Sequence, residues 1–217
     1  MRLGETILDG NNRRKPRKSA IEFYTSDNSP YGITYGAWTV NWWKWCFSIQ
    51  RSRNPTVDPT GSFCAEGQSG PVWFLAGTWV SEERNYPHRK CSVPHGLSIL
   101  FPIINCEENP IEYPNLKSKD DMRKSLSRDM ATVSKSECFV DDEKLPPQLV
   151  HSDPEFFDIE IRSDMSENRK GGHTTMTSSG YWVFLKPLSE GYHDISIEGS
   201  YQYGNLHSGA IYDITVI

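Results

Sequence analysis

Between residues 34 and 49 the chain reads TYGAWTVNWWKWCFSI, and its apolar positions follow a helical period. Trp38, Trp42, Trp45, Cys46 and Ile49 recur at i, i+4, i+7, i+8 and i+11, which is one helix face, and Tyr35 joins them a turn earlier. Val40, Trp43 and Phe47 form a second apolar arc opposite, leaving Asn41, Lys44 and Ser48 as a narrow polar strip. A helix apolar on nearly all sides is a buried helix. The segment 34–49 therefore predicts a rod wrapped by the rest of the fold, with Thr34 as its N-cap and Asn54-Pro55 stopping it. Trp43 lies off the main face and is the indole expected to be exposed, a candidate platform for a sugar or an apolar ligand.

The other segments read differently. Residues 1–30 are polar and aperiodic, a flexible arm with a short strand at 20–24 (AIEFY). Residues 54–70, rich in Pro, Gly, Ser and Thr, read as loop. Residues 71–79 (PVWFLAGTW) and 97–105 (LSILFPIIN) are apolar on both faces and predict strands, the first central in its sheet. Pro102 places a bulge or an edge in the second. Residues 91–96 read as a strand and turn. Ser118 caps a second helix over 119–133, with Met122, Leu126, Met130 and Val133 on one face and charges on the other, so it lies on the surface.

From Ser136 onward the pattern is all β. Strands at 137–140 and 144–145 flank an Asp141-Asp142 turn, and FFDIEIR alternates. A polar loop over 163–178 precedes strands at 181–187, 192–203 and 210–217, the first two joined as a hairpin through 188–191. These elements predict a mainly β fold: a β-sandwich of jelly-roll or immunoglobulin-like type over 31–217, with one buried and one surface helix. The alternative is an α+β fold whose N-terminal half packs as a separate layer.

A length of 217 residues suits one large domain. A net charge of −5 argues against a general nucleic-acid binder, and the basic cluster at 13–18 reads as a solvated tail. No apolar run reaches the ~18 residues of a transmembrane segment. The first thirty residues carry no apolar signal region, which places the chain in the cytoplasm as written, or outside the cell if the true start lies upstream. The five cysteines (46, 64, 91, 106 and 138) include no CxxC or CxxH pair, so zinc is not expected. Cys46 reads as a core thiol. Cys64 and Cys91, in turn-like surroundings flanking a strand, are a candidate disulfide in an oxidising compartment.

Several blocks carry a resemblance. They are Tyr31-Gly32-Ile33-Thr34-Tyr35-Gly36-Ala37-Trp38 with Trp42-Trp43-Lys44-Trp45, then Cys64-Ala65-Glu66-Gly67-Gln68 leading into GPVWFLAGT, then Cys91-Ser92-Val93-Pro94 and Phe101-Pro102-Ile103-Ile104-Asn105. Together with the closing hairpin from Gly180-Tyr181-Trp182 to Gly191-Tyr192-His193, they resemble an uncharacterised family of microbial proteins, many made with a secretory signal. The family has no established activity, so the resemblance implies a shape and carries over no catalytic residue. His95 stands where family members have a small residue, and the secretory signal is missing here.

Familiar catalytic patterns are absent: no HExxH, GxSxG, Walker loop or GxGxxG occurs. Ser69 in GQSG precedes a strand where a nucleophile elbow follows one. The six histidines show no metal spacing on one element. Attention falls on Asp58 and Gln68 in the glycine-rich loop and on Asn105 and Glu107 closing the FPIIN strand. If strands 71–79 and 97–105 pair, these residues meet at one rim near Trp79, where they would hydrogen-bond a sugar. Asp58, Asn105 and Glu107 would also supply oxygen ligands for calcium, the one cofactor considered. The plainer reading is that Asp58 caps a turn and Asn105 satisfies loop backbone. The function expected is a non-catalytic ligand- or partner-binding protein, with carbohydrate as the ligand class. The alternatives are a hydrolase of polysaccharides or esters using Glu107 or Asp58, and a structural protein that self-assembles through exposed strand edges.

Overall fold

A computed structural model describes residues 20–202 and 205–217; the basic cluster and most of the N-terminal arm lie outside the described residues, as does Tyr203. Thr34 Oγ1 accepts from the backbone N–H of Ala37 at 3.2 Å and opens α1 (Tyr35–Ser48). At the other end the side-chain amide of Asn54, fully buried, donates to the carbonyls of Cys46 at 2.7 Å and Ile49 at 3.3 Å, two of the groups a helix terminus leaves unpaired. Trp38, Trp42 and Trp45 each donate an indole N–H to a different stretch of backbone: Pro30 at 2.9 Å, Leu75 at 2.8 Å and Glu66 at 2.8 Å. Trp43 corrects the expectation of an exposed indole. It is 2% exposed, stacked on Phe47 at 5.6 Å and met edge-on by Trp42 at 5.0 Å, because the second apolar arc is covered as well as the first.

The strands are β1 (Val72–Phe74), β2 (His88–Val93), β3 (Ser98–Glu108), β4 (Val133–Val140), β5 (Glu143–Leu145), β6 (Gln148–His151), β7 (Phe157–Ile161), β8 (Gly172–Leu185), β9 (Gly191–Tyr201) and β10 (Leu206–Val216). The first sheet has the order β1-β3-β8-β6, with β7 beside the first half of β8; the second has the order β2-β10-β9-β4-β5. The two face each other as a sandwich. Its core runs from Ile99, Phe101, Val183 and Leu185 to Ile195, Ile197, Tyr212 and Ile214. The outer face of the first sheet carries α1, through Phe74, Leu100, Trp182 and Phe184. The rod is thus a third layer on the sandwich, and the first sheet is buried on both faces. A second helix, α2 (Lys119–Met130), packs against β3 and β8 behind a capping box of Ser118 and Asp121.

Several boundaries differ from the sequence pattern for identifiable reasons. The stretch 71–79 gives only three strand residues, at a sheet edge. It is apolar on both faces because α1 covers one and the sandwich core the other; beyond Leu75 the chain crosses toward the second sheet, where Ser208 Oγ donates to the Thr78 carbonyl at 2.7 Å. Helix α2 ends at Met130, and Val133 opens β4. The loop expected over 163–178 holds up to residue 171, and its remainder is strand: β8 starts at Gly172 and runs through the polar HTTMTSS, whose β-branched threonines favour extended backbone. In the N-terminal arm, strand character at 20–24 shrinks to one bridge, Phe23 to Leu185. Pro102 does sit at a bulge, yet in an interior strand. Two pairings, β1 with β3 and β2 with β10, are parallel.

The sheet edges are short or covered. β5 has three residues, β6 has four, and the outer edge of β2 is occupied by the glycine-rich loop, where Lys90 N–H donates to the Thr60 carbonyl at 2.9 Å. Trp42→Ala removes a buried ring and leaves the Leu75 carbonyl unpaired. It is expected to cost ~3–5 kcal/mol of unfolding free energy in a urea titration. A loss below ~1 kcal/mol would show that α1 is peripheral to the fold.

Candidate functional site

The residues singled out in the sequence do not converge. β1 pairs with β3 in parallel, Val72 opposite Ser98 and Phe74 opposite Leu100, so the loop before β1 lies at the start of β3, and Asn105 and Glu107 lie toward its far end. Gln68 is bonded to Phe74; Glu107 is seven residues beyond Leu100, roughly 23 Å along the strand. The oxygen set Asp58, Asn105 and Glu107 is accordingly not assembled, and no cluster of three or more His, Cys, Asp or Glu able to hold a metal occurs among the described residues.

Asp58, Gln68 and Glu107 are held by local bonds, whereas the Asn105 amide nitrogen and the Trp79 indole nitrogen are buried without a partner among the described residues. Asp58 is buried and accepts from the N–H groups of Thr60 at 2.8 Å and Phe63 at 2.7 Å, bonds that hold its carboxyl below the usual range against the opposing effect of burial. Gln68 acts as a strand partner: it donates to the carbonyls of Cys64 at 3.0 Å and Phe74 at 2.8 Å, and accepts from Phe74 N–H at 2.9 Å. Asn105 packs over Gly180, where any Cβ would strike its backbone. Trp79 is half-buried, 6.2 Å from the Phe47 ring. Cys64 and Cys91 are both free thiols, in contact with each other.

Glu107 is 8% exposed and accepts from Asn109 Nδ2 at 2.6 Å. Burial pushes its pKa up to about 8, and Glu108 behind it is pushed by burial to about 7. Glu107 is therefore mostly protonated at neutral pH, and Glu108 is close to its midpoint there.

The open surface lies elsewhere, on the outer face of the second sheet, which carries no helix among the described residues. Alternation along β2, β10 and β9 sends side chains outward in rows: Ser92, Thr215 and Tyr192 in one, Lys90, Asp213 and Asp194 in the next, and His88, Ile211 and Ser196 in a third. The first two rows line a groove of about 460 Å³. Tyr192 stands over it at 86% exposure, the most exposed of the large hydrophobic side chains in the described residues. Asp213 accepts from His88 Nε2 at 2.7 Å. The groove therefore offers a bare aromatic face, a cation, two carboxylates and two hydroxyls, all on paired strands. No residue of it except Cys91 was singled out as a site in the sequence; the signal available was the alternation that turns Tyr192 away from Ile195 and Ile197.

At the rim beside it, His193 is clamped between two turns. Its Nδ1 lies 2.7 Å from Asp141 Oδ2, and its Nε2 lies 2.9 Å from the Ser189 carbonyl and 3.3 Å from the Ser189 hydroxyl.

No family model, curated protein or solved structure matches this chain. No helix among the described residues is long and apolar enough to cross a membrane.

The buried acids fix a pH dependence. Glu107 keeps its proton in the folded chain up to about pH 8, whereas the unfolded chain releases it from about 4.5. The folded state therefore loses stability as pH rises across that window, by up to about 1.4 kcal/mol per unit. Glu107→Gln is expected to flatten the decline in melting temperature between pH 5 and 8 and to leave the variant the more stable chain at pH 8. An unchanged slope would mean that the carboxyl is ionised in the fold.

Proposed function

We propose that this chain is a non-catalytic carbohydrate-binding β-sandwich whose ligand lies across the outer face of the second sheet, stacked on Tyr192. The observation that carries the reading is the 86% exposure of that ring beside the groove. A phenol ring left in water forgoes the burial that large aromatics normally gain, and a sugar ring offers a C–H face of matching size. The hydroxyls of the sugar would find Lys90 as a donor, Asp213 and Asp194 as acceptors, and Thr215 as either. The strands hold these groups in place before binding, which limits the ordering cost. The site differs from the rim expected around Trp79, whose indole is packed against α1.

Affinity electrophoresis through gels containing laminarin, xylan or mannan tests this. Migration of the native chain should slow in at least one gel, and Tyr192→Ala should weaken the interaction about tenfold or more while leaving the melting temperature unchanged. Unretarded migration in every gel, or retardation indifferent to Tyr192, would remove the proposal.

A second reading, ester hydrolysis, is favoured by one contact, the 3.3 Å approach of the exposed Ser189 hydroxyl to His193 Nε2 with Asp141 behind the ring. With Nδ1 protonated toward Asp141, Nε2 would accept the serine proton; the Ser189 carbonyl, an acceptor 2.9 Å from the same nitrogen, favours instead a proton on Nε2 and so opposes that role. Under this reading a fluorophosphonate probe labels the native chain and not Ser189→Ala. A native chain that stays unlabelled leaves His193 as a clamp between turns. Glu107 and Asp58 serve neither reading, being buried and committed to local bonds.

A further inference from the structure

The glycine-rich loop lies along the outer edge of β2 in a way that brings two cysteines together. Asp58 closes the turn by accepting from Thr60 and Phe63, and Cys64 N–H donates to the Gly61 carbonyl at 3.0 Å. Lys90 N–H then donates to Thr60, and Gly61, at φ +87°, sits so near Lys90 that any side chain there would strike the strand backbone. Two residues farther along the strand, the Ser92 N–H points to the Cys64 sulfur. The turn therefore delivers Cys64, half-buried, onto Cys91, which is 4% exposed and belongs to the core between the sheets. Cys64 packs against that same core cluster, which makes the two sulfurs neighbours. The other three cysteines lie elsewhere: Cys46 on α1, Cys106 on β3 and Cys138 on β4.

We propose that Cys64 and Cys91 close an intramolecular disulfide by exchange with a low-molecular-weight disulfide, fastening the glycine-rich loop to the edge of β2. The two thiols are unequal. The hydrogen bond from Cys91, with that from Ser92, holds the Cys64 thiol below its ordinary range, while the neighbouring Cys64 sulfur and burial push Cys91 up. Cys64 is also the member with access to solvent. It loses its proton to water and attacks one sulfur of oxidised glutathione; a Cys64–glutathione bond forms, the glutathione S–S bond breaks, and one glutathione thiolate leaves. Cys91 then gives up its proton and attacks the Cys64 sulfur, expelling the second glutathione thiolate. Two electrons pass from the cysteine pair to the glutathione disulfide. The closed bridge spans residues 64–91 and fixes the strand whose Lys90 and Ser92 side chains line the groove.

The test uses the full chain, purified reduced and incubated with oxidised glutathione. Free-thiol titration should fall from five to three, and a non-reducing peptide map should show one cross-link, Cys64 to Cys91. The melting temperature should rise by about 5–10 °C and return on reduction. Cys91→Ser should instead keep one glutathione on Cys64, and Cys64→Ser should take up none. A native chain that retains five thiols, links other cysteines, or stops at a Cys64–glutathione adduct overturns the proposal. The peptide map of the native chain decides the matter even if a variant fails to fold.

Discussion

An indole N–H taken out of water gains from an acceptor, and three of the four on α1 find theirs in three separate stretches of chain: the turn at Pro30, the glycine-rich loop at Glu66 and the exit of β1 at Leu75; the fourth, on Trp43, is buried without one among the described residues. The apolar area of the rings fastens the helix to the first sheet, and the N–H groups set where the surrounding loops lie. Packing alone tolerates sliding; a buried donor with one acceptor does not. The glycine-rich loop, tied to Trp45 at Glu66, lies against β2 just before that point, through Thr60 and Gly61, covers that edge and presents Cys64. The order of the loop thus descends from the helix beneath it.

On the far side of that loop a buried cation plays the matching part. Arg89, 1% exposed, donates to the carbonyls of Asp58 at 2.6 Å and Ala76 at 2.6 Å and to the Tyr212 hydroxyl at 2.8 Å, with its guanidinium 5.5 Å above the Tyr212 ring. The planar fork suits several carbonyls at once in a way that a lysine ammonium does not. Between Trp45 and Arg89 the loop needs internal acceptors and donors, and Asn54, Asp58 and Gln68 supply them. Polar side chains in a glycine-rich loop look like ligand groups in a sequence. Here they replace the strand partners that an irregular backbone lacks.

The helical period at 34–49 was readable because a dense run of large rings leaves few other solutions, and the Asp141-Asp142 hairpin was readable from its two short flanking strands. Trp43 was misjudged because periodicity ranks faces relative to each other and says nothing about how many are covered. Runs apolar on both faces, such as 71–79, state that two layers flank a segment without saying whether strands lie on both its edges; here the layers are α1 and the sandwich core. The rim failed on direction. The rim requires that 71–79 and 97–105 pair, and they do, but hydrophobic pattern does not distinguish parallel from antiparallel, and the parallel register sends Asn105 and Glu107 away from Asp58 and Gln68.

The same limit explains why the groove escaped notice. Its rows join the consecutive strands β9 and β10 to β2, which lies about a hundred positions or more earlier in the chain and meets them only through the parallel β2–β10 edge. Within any one strand, Lys90, Asp213 or Asp194 reads as an ordinary solvated position. Assembled, they surround a tyrosine that the pleat of β9 turns outward by necessity, since Ile195 and Ile197 claim the inward face. Outward placement alone is bland; many surface strands carry an exposed ring. What separates this one is that its neighbours across two strand pairs are hydroxyl and charged groups on a sheet face that no helix of the described residues covers. The first sheet, capped by α1, has no such face to offer. A surface built on paired strands moves little, so a ligand there would meet groups already in position, and its affinity would depend on the fit of those rows.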